Sequence, residues 1–108
     1  MKNIFLLMLL VSSSAIAANE KLSTNQLSGF VGKKVTVCGK VAEISTIRND
    51  TFINIDSPHP YQKFYFYLNN QTLNKKYLFK MVCGNGILNS HKGKFQIKVA
   101  DIKSLSFK

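Results

Sequence analysis

The sequence predicts a small all-β barrel, and three observations carry that expectation. Short segments alternate apolar and polar residues at a period of two. Glycines interrupt the first and fourth of these segments. A single stretch without alternation separates the third from the fourth. The chain has 108 residues, 45% of them apolar, which suits one domain. That apolar share is too high for a disordered basic tail.

The first residues stand apart. Lys2 precedes an unbroken apolar run, IFLLMLLV, at residues 4–11, followed by the small residues SSSAIAA. This is the pattern of an export signal, with Ala15-Ile16-Ala17 as the small-x-small cleavage site. The run is far short of the ~20 residues that a bilayer span needs. Residues 1–18 are therefore expected to be removed, leaving 19–108 as a single domain in the periplasm or outside the cell. In an oxidising compartment an even cysteine count suggests a disulfide.

Along the mature chain, Leu22, Leu27 and Phe30 are spaced in a polar context, with Ser23 or Thr24 as a cap for a short helix ending near Gly29 or Gly32. Residues 33–44 (KKVTVCGKVAEI) read as the first strand. Val35, Val37 and Val41 share a parity that Ile44 breaks, so a bulge or bend is expected near Gly39. Asn49-Asp50 signals a turn. Residues 51–56 (TFINID) form the second strand, with Ile53 and Ile55 inward and Phe52, Asn54 and Asp56 outward. Ser57-Pro58-His59-Pro60 is a loop. The third strand (KFYFYL, 63–68) turns Phe64, Phe66 and Leu68 inward and Lys63, Tyr65 and Tyr67 outward. Residues 69–79 read as a turn and a short helix. A glycine-containing strand (80–88), a hairpin turn (89–93) and a cleanly alternating strand (94–99) follow, the last with Lys94, Gln96 and Lys98 outward. Five strands ordered β-β-β-α-β-β fit the oligonucleotide/oligosaccharide-binding (OB) fold, whose tightly bent strands favour glycine.

Specific residues add to that order. Cys38-Gly39-Lys40-Val41, then Thr51 to Asp56 followed by Pro58-His59-Pro60-Tyr61-Gln62, then Phe64 to Tyr67, resemble an exported bacterial OB-fold family. The later stretch, Val82-Cys83-Gly84-Asn85-Gly86-Ile87 with Lys92-Gly93-Lys94-Phe95-Gln96-Ile97 and Asp101, extends the likeness. Phe95 departs from the family's usual proline. The resemblance implies an OB barrel and nucleic-acid binding. In such a barrel the first strand pairs with the fourth, so Cys38 and Cys83 would form a disulfide between them. Two free buried thiols are the alternative, and a redox pair would usually show CxxC.

Charge sets the partner class. Fifteen Lys and Arg face five acids, a net charge of +10. Loss of the signal removes Lys2 and no acid. Such a surface suits an anion, here nucleic acid, expected to be single-stranded and bound with little sequence preference, with a protein partner or an acidic glycan as the alternative. Phe52, Tyr65 and Tyr67 would stack bases, and Lys63, Lys94 and Lys98 would track phosphates. Arg48 and Lys92 fall in the loops that flank an OB groove. The bland alternative is that the aromatics only cover the barrel and the lysines only keep it soluble. No cofactor or metal site is expected. His59 and His91 are far apart in sequence with no acidic or thiol cluster beside them. No catalytic constellation is legible either, so a binding protein is expected rather than an enzyme.

Overall fold

A computed structural model describes residues 21–108. The export signal expected over residues 1–18 lies outside them. The elements are β1 (Lys21–Leu22), β2 (Lys34–Ile47), β3 (Asp50–Ile55), β4 (Phe64–Leu68), β5 (Met81–Ile87), β6 (Asn89–His91), β7 (Lys94–Val99) and β8 (Ser106–Phe107). They form one sheet in the order β6-β7-β4-β3-β2-β5-β8, with β1 parallel to β2. The all-β barrel-like expectation holds, and β2, β3, β4, β5 and β7 are the five expected strands.

β2 changes partner along its length. Its first half pairs with β5, from Lys34↔Ile87 to Lys40↔Met81. Its second half pairs with β3, from Val41↔Ile55 to Ile47↔Asp50. The register skips one residue between Val41 and Glu43, so the bulge falls at Ala42 rather than near Gly39. The extra residue restores phase and turns Ile44 inward (3% exposed). The turn after β2 is Arg48-Asn49, with Arg48 at φ 60°; Asp50 is already in the strand.

The inward rows match the alternation. Val37, Val41, Ile53, Ile55, Phe64, Phe66, Leu68 and Ile97 are all fully buried. Glycine answers bulk across the barrel. Gly84 faces Val37 in register, and a Cβ there would stand 2.7 Å from Phe66 Cε1 and 2.6 Å from Leu105 Cδ2. Gly86 likewise makes room for Ile97 Cγ2, 2.6 Å from where its Cβ would be.

Both expected helices are single 3-10 turns. Ser28–Phe30 replaces the N-terminal one. Lys75–Tyr77, capped by Asn74 accepting from Lys76 N, replaces the one over 69–79. Each stretch is too short to offset helix nucleation, and Leu27 and Leu73 anchor them to the core instead. The barrel is also not closed by hydrogen bonds. β5 runs through Leu88 into β6, and β6 pairs with β7, but β5 and β7 share no ladder. Side chains seal that seam.

Cys38 and Cys83 face each other in the β2–β5 register, with Cα atoms 4.1 Å apart, and are joined by a disulfide. The bond closes a loop with a sequence separation of 45, which chain entropy values at about 4 kcal/mol. A disulfide fits an oxidising compartment. Among the described residues no helix is long and apolar enough to cross a membrane. Cys38→Ser with Cys83→Ser should lower unfolding free energy by ~2–4 kcal/mol in a denaturant titration; an unchanged midpoint would mean that the cross-link adds nothing to the ladder.

Candidate functional site

The outer face of β2, β3, β4 and β7 carries two cross-strand rows. One runs Glu43, Asn54, Tyr65, Gln96; the other runs Ser45, Phe52, Tyr67, Lys98. The face is flanked by two hairpins with two-residue turns, Arg48-Asn49 between β2 and β3 and Lys92-Gly93 between β6 and β7. Lys92 and Gly93 both take positive φ, 51° and 82°, as the twist of a tight hairpin requires. Between the hairpins lies a pocket of about 350 Å³. Ile47, Phe52 and Tyr65 supply its apolar side. Glu43, Asn54, His59 and Gln62 supply a polar side, and His91, Lys92 and Lys94 reach it from the β6–β7 hairpin.

The aromatic group comes together. The Phe52 ring is 5.7 Å from Tyr65 and 5.3 Å from Tyr67, tilted against both, a favourable arrangement for aromatic pairs. The three rings are unequally open. Phe52 and Tyr67 are half-buried, whereas Tyr65 is 7% exposed. Burial pushes the Tyr65 phenol pKa up. The Tyr67 hydroxyl donates to Asp50 Oδ2 at 2.9 Å, and that bond raises its pKa.

Beside Tyr65, the loop between β3 and β4 folds onto the Glu43–Asn54 end of the same row. His59 N donates to Glu43 Oε1 at 2.9 Å, and Asn54 Nδ2 donates to the same oxygen at 2.8 Å. Gln62 Nε2 donates to Asn54 Oδ1 at 3.0 Å and lies 3.2 Å from His59 Nδ1. From the opposite side Lys94 Nζ donates to the carbonyls of Pro60 (2.7 Å) and Gln62 (2.9 Å). These bonds strap the loop down. They also hold the Glu43 carboxyl below the usual glutamate range, the His59 amide first and the Asn54 side chain second.

The other site lysines are distributed differently. Lys94, expected on phosphates, spends two of its three donors on the loop carbonyls. Lys98 is exposed and stands opposite Tyr67. Lys92 is exposed on the rim of the pocket. Arg48 is exposed at the far hairpin tip, and Lys63 is exposed just before β4; neither lines the pocket. Glu43, His59, Gln62 and His91 were not singled out for binding from sequence. A signal for two of the polar residues was present: Asn54 and Gln62 both lie in the stretch that carries the family resemblance, where neither a turn nor a core position calls for them.

The acids do not gather. Glu43 lines the pocket, Asp50 binds Tyr67 and Asn70 N, and Asp56 holds Thr24 and Lys40 N at the other end of β3. Among the described residues no three His, Cys, Asp or Glu side chains are grouped to hold a metal ion.

A barrel-like sheet of five main strands whose outer face lies between two hairpins is an OB-type architecture. Solved structures share it. Two OBodies bound to hen egg-white lysozyme superpose with TM-scores of 0.57 and 0.58 at 15% and 16% identity, covering 80% and 81% of this chain and 92% and 91% of theirs. A protein described as an aspartyl-tRNA synthetase from Leishmania major Friedlin matches with a TM-score of 0.57 at 10% identity, over 88% of this chain and 22% of that one. At these identities the likeness bears on the fold alone. No protein-family model and no curated protein matches the chain.

The carboxylate bonds make acid stability a direct probe. With its folded pKa depressed, Glu43 stabilises the fold fully above the unfolded-state glutamate value and stops doing so as pH falls through the lower folded value. Denaturant midpoints taken from about pH 7 down to about pH 2 should drop further for the unmodified chain than for Glu43→Gln. Parallel curves would show that the loop is not held through this carboxylate.

Proposed function

We propose that this is an exported, non-enzymatic OB-fold protein that binds nucleic acid, single-stranded and with its bases against the outer face. The observation that carries this reading is the half-buried Phe52 between two tyrosines, set in a pocket that Lys92 rims. An aromatic surface accepts any base, since every base has a π-face. Lys98 beside Tyr67 and Lys92 on the hairpin add point charges suited to phosphates. The surplus of lysine over acid supports an anionic partner in general. The disulfide and the signal-like N-terminus support a periplasmic or secreted location.

A second reading, a protein partner on the same face, is favoured by the two OBodies, which are bound to lysozyme. Salt separates the two. A phosphate-binding face loses affinity steeply and linearly on a log–log plot as salt rises.

Fluorescence anisotropy of a labelled single-stranded oligonucleotide should therefore report binding at ~50 mM salt that weakens strongly by ~200 mM. No binding at the lower salt would overturn the proposal. Phe52→Ala should cost ~1–3 kcal/mol of binding with the fold intact by circular dichroism, and Lys98→Ala should reduce the salt slope by about one. Full affinity in Phe52→Ala would move the site off this face.

A further inference from the structure

Phe79 occupies a position whose backbone suits a smaller residue. Residues 77–80 form a tight turn closed by Lys80 N, which donates to Tyr77 O at 3.2 Å. Leu78 at φ −57° and ψ 137°, followed by Phe79 at φ 68°, is the type II pattern, in which the third residue is ordinarily glycine or asparagine. The turn enters β5 through a bulge. Phe79 N donates to Val41 O at 2.8 Å, and Val41 N donates to Lys80 O at 2.9 Å. Two residues thus stand opposite one, the first at positive φ, and glycine is the ordinary choice there too. A bulky aromatic in this conformation is strained. Its ring gains little from the fold in return, being 68% exposed.

Phe79 does not stand alone. Met81, 47% exposed, faces Lys40 at one end of the β2–β5 ladder, and Ile87, 49% exposed, faces Lys34 at the other. Val35, Val37 and Gly39, which alternate with the lysine row, are buried. Lys34, Lys40, Met81 and Ile87 therefore share the outer face. Between the two pairs that face carries Thr36 opposite Asn85 and the disulfide, none of them charged. Lys80, next to Phe79, is exposed. Asp56, the acid bonded at the Lys40 end, turns its two oxygens to Lys40 N and Thr24 Oγ1. No residue of β5, nor of the half of β2 paired with it, lines the pocket described above.

We propose that this face docks on an anionic lipid bilayer, with Phe79, Met81 and Ile87 entering the boundary between headgroups and acyl chains and Lys34, Lys40 and Lys80 meeting lipid phosphates. The surface is separate from the pocket and does not depend on what the pocket binds. Side-chain type selects the partner. Methionine and isoleucine have no flat face to stack on a base, so the apolar part of this face has no use on nucleic acid, whereas hydrocarbon accepts it. Lysine keeps its charge at the headgroups while its aliphatic stem lies along the apolar side chains. In binding of this kind, apolar burial and attraction to anionic lipid add. A second copy of the chain is a poor occupant, because closing the face on itself would bring its lysines together.

The test uses the protein purified after export, without the apolar run at residues 4–11. It is co-sedimented with vesicles of phosphatidylglycerol in phosphatidylcholine, or of phosphatidylcholine alone, at about 100 mM salt. Binding is expected to the anionic vesicles and not to the neutral ones. Phe79→Asn should lower the partition onto anionic vesicles roughly 10-fold, while its denaturation midpoint stays level or rises, since asparagine tolerates positive φ. Lys80→Ala should lower the partition roughly fivefold. Absence of binding to the anionic vesicles would overturn the proposal, and so would equal binding by Phe79→Asn. A lower midpoint in Phe79→Asn would show that the ring serves the fold and would end it too. Unchanged vesicle binding together with weaker oligonucleotide binding in that variant would assign the ring to nucleic acid instead.

Discussion

The change of partner along β2 is the constraint on which the barrel depends. A fourteen-residue strand that twists at the usual rate cannot stay flat against one neighbour. Here the first half lies on β5 and the second on β3, with the extra residue at Ala42 marking the transition. Had the register run through without a bulge, Ile44 would point to solvent and Glu43 into the core. The same single residue therefore places a hydrophobe inside and a carboxylate on the outer face. The disulfide fixes the half of β2 that precedes the bulge, so the half that follows is aimed from a rigid base.

Glu43 then organises what lies above the sheet. An open OB face is a shallow surface. This one becomes a pocket because the loop between β3 and β4 is drawn over it by the carboxylate and held from the other side by Lys94. Both bonds to the carboxylate fall on Oε1, so the side chain that builds the wall keeps its other oxygen free of the loop.

Much of the barrel was legible because strand alternation is a local property. The inward rows Ile53/Ile55 and Phe64/Phe66/Leu68 follow from period-two patterning, and the facing of Cys38 by Cys83 from the first-to-fourth strand pairing that an OB barrel implies. The short helices were misread for the opposite reason. Polar stretches with isolated leucines at 27 and 73 look helical locally, yet those leucines are buried by tertiary contacts that a single turn can satisfy. The bulge lies three residues beyond Gly39, inside the Val41–Ile44 interval where the parity breaks; the break shows that a residue is extra, while nothing in an alanine's side chain marks which one. At the site, the aromatic row could be read from its strand. The engagement of Lys94 could not, since it depends on a loop that returns from eight residues away in sequence to touch Asn54.

The unladdered seam between β5 and β7 has a mechanical consequence. Around the rest of the perimeter, hydrogen bonds fix the distance between neighbouring strands at a set spacing. At the seam the spacing is set by how Ile97 fits beside Gly86, and hydrocarbon contact has no preferred increment. The circumference of the barrel is thus adjustable at one line only. That line runs into the β6–β7 hairpin, so a small change of girth there would swing His91 and Lys92 toward or away from the pocket mouth. Side-chain volume, rather than hydrogen bonding, therefore sets the girth of the barrel beside that hairpin.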